Sequence, residues 1–547
     1  LISFTRRIVA LAVSALAITP VVAWADQPIV HTPAGALRGV ALDGLEVFKG
    51  VPFAAPPVGA NRWKPPAEAP AWKGVRDAAE FGPACYQPKP RAGSIYAEAP
   101  MPMSEDCLSL NVWAPKTVKK APVLVWIHGG SLVAGSSREP MYDGAALARR
   151  GIVVVSINYR LGVLGYLAHA ELSAESPDGV SGNYGLLDQI AALKWIQRNI
   201  AAFGGDPANV TIAGESAGGL SVMYLMASPP ARGLFAKAVA QSAYMISTPT
   251  LREARFGHAP AETAGAALAE KLGAKGLADL RAMDAETLAD AAPKAGFAPF
   301  GTVDGKILPG QLVDVFDRGQ QARVPILAGF NSGEIRSLRV LAPPPPADAA
   351  TYEAEIRKRY GDLADDYLKL YPSTDLAESV LLAPRDALYG WTAERLVAKQ
   401  TAAGAPGYLY LFDHGYPAAD AAGLHGFHAS EIPYVFGTAK LTPPAWPKNP
   451  DTPEEAKLSA TMIGYWTSFA RDGAPRAAGQ PDWRPYGAER AYLTLGEGPE
   501  PGVHLRPGMY ELNEAVMCRR RAQGDLSWNW NVGIVSPPLP TVAGPCR

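Results

Sequence analysis

A chain of 547 residues can build a large core, and by length alone it could hold two or three domains. Its 51 basic and 52 acidic side chains nearly cancel, with no basic stripe, which excludes the electrostatic footprint of a nucleic-acid binder. The 54 glycines and 51 prolines favour many ordered loops over long helical bundles.

Arg6 and Arg7 precede an uncharged apolar run from Ile8 to Ile18, and Ala23-Trp24-Ala25 has the small-x-small form of a cleavage site. Residues 1–25 therefore read as a secretory signal peptide cut after Ala25, its apolar run too short to span a bilayer. Leu1 in place of Met suggests a bacterial start codon, so the expected location is the periplasm or the medium. No second apolar span marks a membrane anchor. Residues 26–547 are expected to form one domain, since large α/β enzymes run this long as a unit. In an exported chain the four cysteines are expected to pair. Of three possible pairings, Cys85–Cys107 with Cys518–Cys546 is favoured because each closes a short local loop. Such a loop stabilises by about 3 kcal/mol in the chain-entropy model. No Cys/His cluster has zinc spacing, and no metal or cofactor is expected.

From Pro28 to about Gly50 the text alternates as a small antiparallel sheet would, first in Gly35–Val40 and then in Leu45–Phe48. Phe53–Gly59 is proline-rich and must be loop. Buried strands are predicted at Pro122–Ile127, Gly151–Ile157, Val210–Ala213, Ala238–Gln241, Val324–Gly329 and Gly407–Phe412. Leu186, Ile190, Leu193, Ile196, Ile200 and Phe203 recur at helical spacing. Buried strands alternating with helices give an α/β fold, a large mostly parallel sheet covered on both faces. Ligands then bind outside the carboxyl ends of the strands. Two alanine-rich stretches, Ala259–Ala295 and Ala349–Ala403, read as helical excursions that supply a cap and pocket walls. The tail after Arg519, with Trp528 and Trp530, finds no place in this scheme.

The chemistry centres on Gly214-Glu215-Ser216-Ala217-Gly218, a G-x-S-x-G turn between a β-branched run and an apolar helix. A serine at the tip of so sharp a turn sits in strained backbone, and the positions two before and two after it must lack bulk. The helix also aims its free N–H groups and positive dipole end at the hydroxyl. Serine needs a base, and the base needs a group that holds its tautomer. The best base is His428, with His425 open as an alternative; His128, directly after a strand, reads as structural. The acid is Glu334, just beyond the strand ending at Gly329, against the alternative of a solvated carboxylate answering Arg336. His128-Gly129-Gly130-Ser131 is a glycine loop whose N–H groups can receive a developing oxyanion, with Gly130, Ser131 and Ala217 as expected donors.

These parts resemble the type-B carboxylesterase/lipase family of α/β-hydrolases over nearly the whole mature chain. The likeness is carried by Ser104–Trp113, Trp126-Ile127-His128-Gly129-Gly130, Asn158-Tyr159-Arg160-Leu161-Gly162, Phe203–Pro207 with the elbow, and Glu431–Gly437. The resemblance implies a triad of Ser216, Glu334 and His428, deciding for His428 over His425 by the register of Glu431–Gly437. It implies a Cys85–Cys107 disulfide, makes Glu215 and Ser242 supports of the site, and puts Phe297 and Phe300 on the acyl wall. Two departures stand out. Ser131 replaces a glycine common in the oxyanion loop, and the Cys85–Cys107 loop has Tyr86 and Tyr96 but no tryptophan, which argues against choline esters. The expected activity is hydrolysis of a small carboxylic ester through an acyl-enzyme. The alternatives are an esterase specialised for a bulky or polycarboxylic ester, which Arg336 and Arg339 could greet, and a non-catalytic adhesion member of the fold.

Overall fold

The computed structural model describes residues 27–90, 93–529, 531–541 and 546. The expected signal peptide and Trp530 lie outside the described residues. An eleven-stranded sheet runs through the molecule. In chain order its strands are β1 (Val40–Leu42), β2 (Leu45–Pro52), β3 (Ser109–Pro115), β4 (Ala121–Ile127), β5 (Val153–Ile157) and β6 (Gly205–Glu215). They continue as β7 (Lys237–Gln241), β8 (Ile326–Asn331), β9 (Gly407–Phe412), β10 (Ala491–Leu495) and β11 (Pro499–Val503). The spatial order is β11-β10-β9-β8-β7-β6-β4-β5-β3-β2-β1. Every pair from β10 to β5 is parallel, and the pairs at both edges are antiparallel.

The central strands are apolar without a break because both faces are covered. Along β4, Val123, Val125 and Ile127 enter one core while Leu124 and Trp126 enter the other. Helices α1 (Tyr184–Asn199), α2 (Ala217–Ala227) and α3 (Trp391–Ala402) pack into the first core, and α4 (Pro453–Asp472) into the second. Each large apolar side chain so buried contributes about 1.5–3 kcal/mol relative to exposure.

The predicted strands are present to within a few residues, and the helix read from Leu186 is α1 followed by a 3-10 turn at Ile200–Phe203. The N-terminal reading needs one correction. Gly35–Arg38 pairs with Ile29–Thr32 and Val75–Asp77 in a separate three-stranded sheet, whereas Leu45–Pro52 joins the large sheet against β3. The alternation of Leu45 and Val47 with Glu46 is that of an antiparallel strand, which sequence cannot assign to one sheet or the other. The two alanine-rich excursions are helical as read, each broken into short helices. The unplaced tail follows a helix α5 (Met509–Gln523) and buries Trp528 completely. Both local disulfides are formed, Cys85–Cys107 and Cys518–Cys546.

Candidate active site

Four of five adjacent strands, β9, β8, β6 and β4, deliver the candidate groups at or beyond their carboxyl ends. β6 runs straight into Ser216, whose φ of 56° and ψ of −120° place it in strained, left-handed space. The elbow's glycines are steric necessities. A Cβ on Gly218 would stand 2.0 Å from the Ile127 carbonyl oxygen, and one on Gly214 would stand 2.5 Å from the Gly218 backbone. The Ser216 N–H is held by the Gln241 carbonyl at 3.0 Å. Its hydroxyl has no hydrogen-bond partner among the described residues and is not sealed from solvent.

β8 ends at Asn331, and a one-turn helix starts with Glu334, which is fully buried. One Glu334 oxygen accepts the Asn331 N–H at 2.8 Å, and the other lies 2.5 Å from His428 Nδ1. His428 comes from the loop after β9. That loop is stitched to the acid's turn by Gly333 N–H to the Gly426 carbonyl at 2.7 Å and by Ser332 N–H to the Phe412 carbonyl at 2.9 Å. The far ring nitrogen, Nε2, stands 3.1 Å from Glu215 Oε1, out of line for a hydrogen bond. No hydrogen bond joins it to Ser216, the next residue of the elbow; such bonds are often loose until substrate closes the site.

β4 supplies the glycine loop. A Cβ on Gly129 would meet the Ser216 Cβ at 3.2 Å, so the loop lies directly on the elbow. Gly130 and Ser131 have φ of +98° and +57°. The N–H groups of Gly130 and Ser131 have no acceptor among the described residues, and Ala217, first residue of α2, has no intrahelical acceptor to use.

Comparisons with known proteins show the family. A model of the carboxylesterase family matches residues 26–512. The chain belongs to the carboxylesterase family. It is 37% identical to a fumonisin B1 esterase of Sphingopyxis macrogoltabida over 89% of this chain and 91% of that one. It is 37% identical to a para-nitrobenzyl esterase of Bacillus subtilis (strain 168) over 82% of this chain and 90% of that one. A solved PNB esterase superposes with a TM-score of 0.77 at 34% identity, covering 89% of this chain and 99% of its own. The protein is therefore a carboxylic ester hydrolase with the α/β-hydrolase fold, of a family that acts on small esters.

In this carboxylesterase three carboxylates act on the His428 ring. Burial pulls the imidazole down, but the Glu215 and Glu334 carboxylates, with Glu431 behind them, outweigh it and raise the ring to about 9. Burial also pushes the Glu215 carboxyl well above its ordinary range, although His428 counteracts this. When Glu215 carries a proton, Glu334 alone faces the ring with full charge. His128 behaves oppositely: burial lowers it to about 4, its Nδ1 lies 2.9 Å from the Gly129 carbonyl, and its ring stacks on Tyr159. It is a structural histidine. His425 stands between Asp413 and Asp420 at 3.1 and 2.8 Å, away from the elbow.

Arg336 does not answer Glu334; it pairs with Glu378 at 2.6 Å. Phe297 packs into a satellite cluster with Trp63 and Leu288, and Phe300 meets the His258 ring edge-on at 5.5 Å. Neither phenylalanine makes a ring contact with His428 among the described residues. Tyr389 does at 5.3 Å, from a π-helical turn at Asp386–Gly390, and Tyr96 does at 6.4 Å. The Tyr96 hydroxyl also sits 3.0 Å from the His428 carbonyl oxygen, so the disulfide-tied loop helps to fix the histidine.

Sequence reasoning also missed a buried polar frame. Glu431 accepts from Gln241 Nε2 at 2.8 Å and from Asn331 Nδ2 at 2.6 Å, while Trp466 Nε1 donates to Gln241 at 2.8 Å. The signal was the Glu431–Gly437 run, used only for register. Ser242, a predicted support, is fully buried with its Oγ unpartnered, and its N–H donates to the Gly329 carbonyl at 2.8 Å.

Proposed function

We propose that Ser216 is the nucleophile, His428 the general base and acid, and Glu334 the group that holds the imidazole. What carries the reading is the 2.5 Å contact of His428 Nδ1 with buried Glu334, made beside a strained serine whose hydroxyl is free. Ser216 Oγ attacks the ester carbonyl while His428 Nε2 takes its proton. The carbonyl oxygen becomes negative in front of the Gly130, Ser131 and Ala217 N–H groups, each worth about 3–4 kcal/mol to the transition state when made. His428 then gives the proton to the departing alkoxide, and the acyl-enzyme remains. Water, deprotonated by the same ring, attacks the acyl carbon; the imidazolium returns that proton to Ser216 Oγ as the acyl–Oγ bond breaks and the acid leaves. Glu334 keeps Nδ1–H fixed and stabilises the imidazolium in each step.

Residues 26–547 serve as a single catalytic domain, exported after removal of residues 1–25. The two disulfides support the export reading, and no helix among the described residues is long and apolar enough to cross a membrane. Ser216→Ala tests the assignment. Hydrolysis of a p-nitrophenyl ester is expected to fall by about 10³-fold or more with thermal stability retained; turnover within tenfold of the parent protein would refute it.

A further inference from the structure

Six arginines are buried among the described residues: Arg62, Arg160, Arg385, Arg395, Arg519 and Arg520. Five have a carboxylate in contact. Arg62 meets Glu105 at 2.6 Å, Arg160 meets Asp188 at 2.7 Å, Arg385 meets Asp386 at 2.6 Å and Arg519 meets Asp362 at 2.6 Å. Arg395 is gripped by Asp317 and Glu514 together. Arg520 is the exception, with no acidic side chain paired to it among the described residues.

The Arg520 side chain is 1% exposed. Its Nη2 donates to the Pro537 carbonyl at 2.9 Å, and both Nε and Nη1 are sealed from solvent with no acceptor among the described residues. A guanidinium cannot shed its proton as a buried lysine can. An unpaired charge away from water is among the least favourable arrangements a protein can hold. Arg520 lies in the last turn of α5, where the helix carbonyls offset part of the charge. The returning tail covers it. Asn531 Nδ2 donates to Asn513 Oδ1 at 2.7 Å, Gly533 N–H to the Tyr360 hydroxyl at 3.2 Å, and Val532 N–H to Ser536 Oγ at 2.8 Å. These neighbours are neutral and already bonded.

We propose that a halide ion, such as chloride, fills the empty donor positions of Arg520 and bridges α5 to the tail at 531–539. A monatomic anion suits a sealed site with donors on one side chain only. An oxyanion would need further donors for its remaining oxygens, and the nearby hydroxyl and amides are committed to one another. The site lies apart from the esterase centre and would serve the fold.

Thermal unfolding of the full protein tests this, with sodium chloride exchanged for sodium gluconate at constant ionic strength. The parent protein is expected to gain about 2 °C or more, saturably, as chloride replaces gluconate. Arg520→Met, similar in reach and uncharged, is expected to show no such gain. No chloride response in the parent, or an equal one in Arg520→Met, overturns the proposal. If the variant does not fold, crystals of the parent grown in sodium bromide decide it. An anomalous peak in hydrogen-bonding reach of Arg520 Nε or Nη1 supports the site; water or nothing at that place overturns it.

Discussion

His425 and His428 stand three residues apart in one loop, each between two carboxylates and each with its pKa raised to about 9. At His425 both ring nitrogens are spent on aspartates, at 2.8 Å from Asp420 and 3.1 Å from Asp413, and the side chain is 41% exposed. At His428 only Nδ1 is committed, to Glu334, and the side chain is 8% exposed. Its Nε2 faces Glu215 out of line and makes no hydrogen bond among the described residues, which leaves it available for the role proposed above. A raised pKa between carboxylates therefore does not mark a working histidine. An uncommitted nitrogen in a dry setting does, because charge there is screened least and matters most.

Glu334→Gln should break the comparison on its buried side with the largest effect. An amide in that place can present its own N–H to Nδ1 and hold the wrong tautomer, and it cannot stabilise imidazolium. By analogy with the same replacement in serine proteases, kcat is expected to fall by about 10⁴-fold. Steady-state kinetics on a p-nitrophenyl ester will show it, and a loss below tenfold would remove Glu334 from the proposed role.

Glu215→Gln sharpens the same side. In the proposed mechanism the unprotonated ring is the base, so kcat/KM is expected to rise with pH as His428 loses its proton. In the parent protein that limb is expected above 6.5 and as high as about 9, because Glu215 and Glu334 hold the proton on against the effect of burial. Removing the Glu215 charge leaves Glu334, with Glu431 behind it, and the limb should move down toward 6.5. Full pH profiles of kcat/KM for the two proteins decide it. A limb that stays where it was would mean that Glu215 is already neutral and acts only through packing.

Much of this site was readable in the sequence for steric reasons. Gly214 and Gly218 mark the elbow because any Cβ there strikes backbone, and β4 through β9 read as strands because burial on both faces demands unbroken apolar runs. What was not readable depends on contacts between distant residues that no local period records. Gln241 meets Glu431 and Asn331 meets Glu431 across long stretches of chain. Tyr96 and Tyr389 reach His428 from a loop and a π-helical turn. The elbow's glutamate was read as a support. Its approach to the free nitrogen of the histidine became visible only with the loop in place.

His425→Asn tests the exposed side and carries the smallest expected effect. Asparagine tolerates the left-handed backbone at this position, where φ is +50°, so the change removes the charge pairs without adding strain. The hydrogen bond to Asp413 raises the ring most, burial opposes it, and Asp420 adds to the rise, giving about 9 against an ordinary 6.5. A folded pKa above the unfolded one stabilises fully below 6.5, and that stability is lost as pH rises through 9. Exposed ion pairs of this kind are worth about 0.5–1 kcal/mol at most, so in a domain this large Tm at pH 6 should fall by only about 0.5–1 °C. At pH 10 the two proteins should unfold together. Activity should change little, since the loop keeps its tie from Gly333 N–H to the Gly426 carbonyl at 2.7 Å. A deficit that persists at pH 10 would show that His425 holds the loop by shape and not by charge, and the electrostatic half of the comparison would then fail.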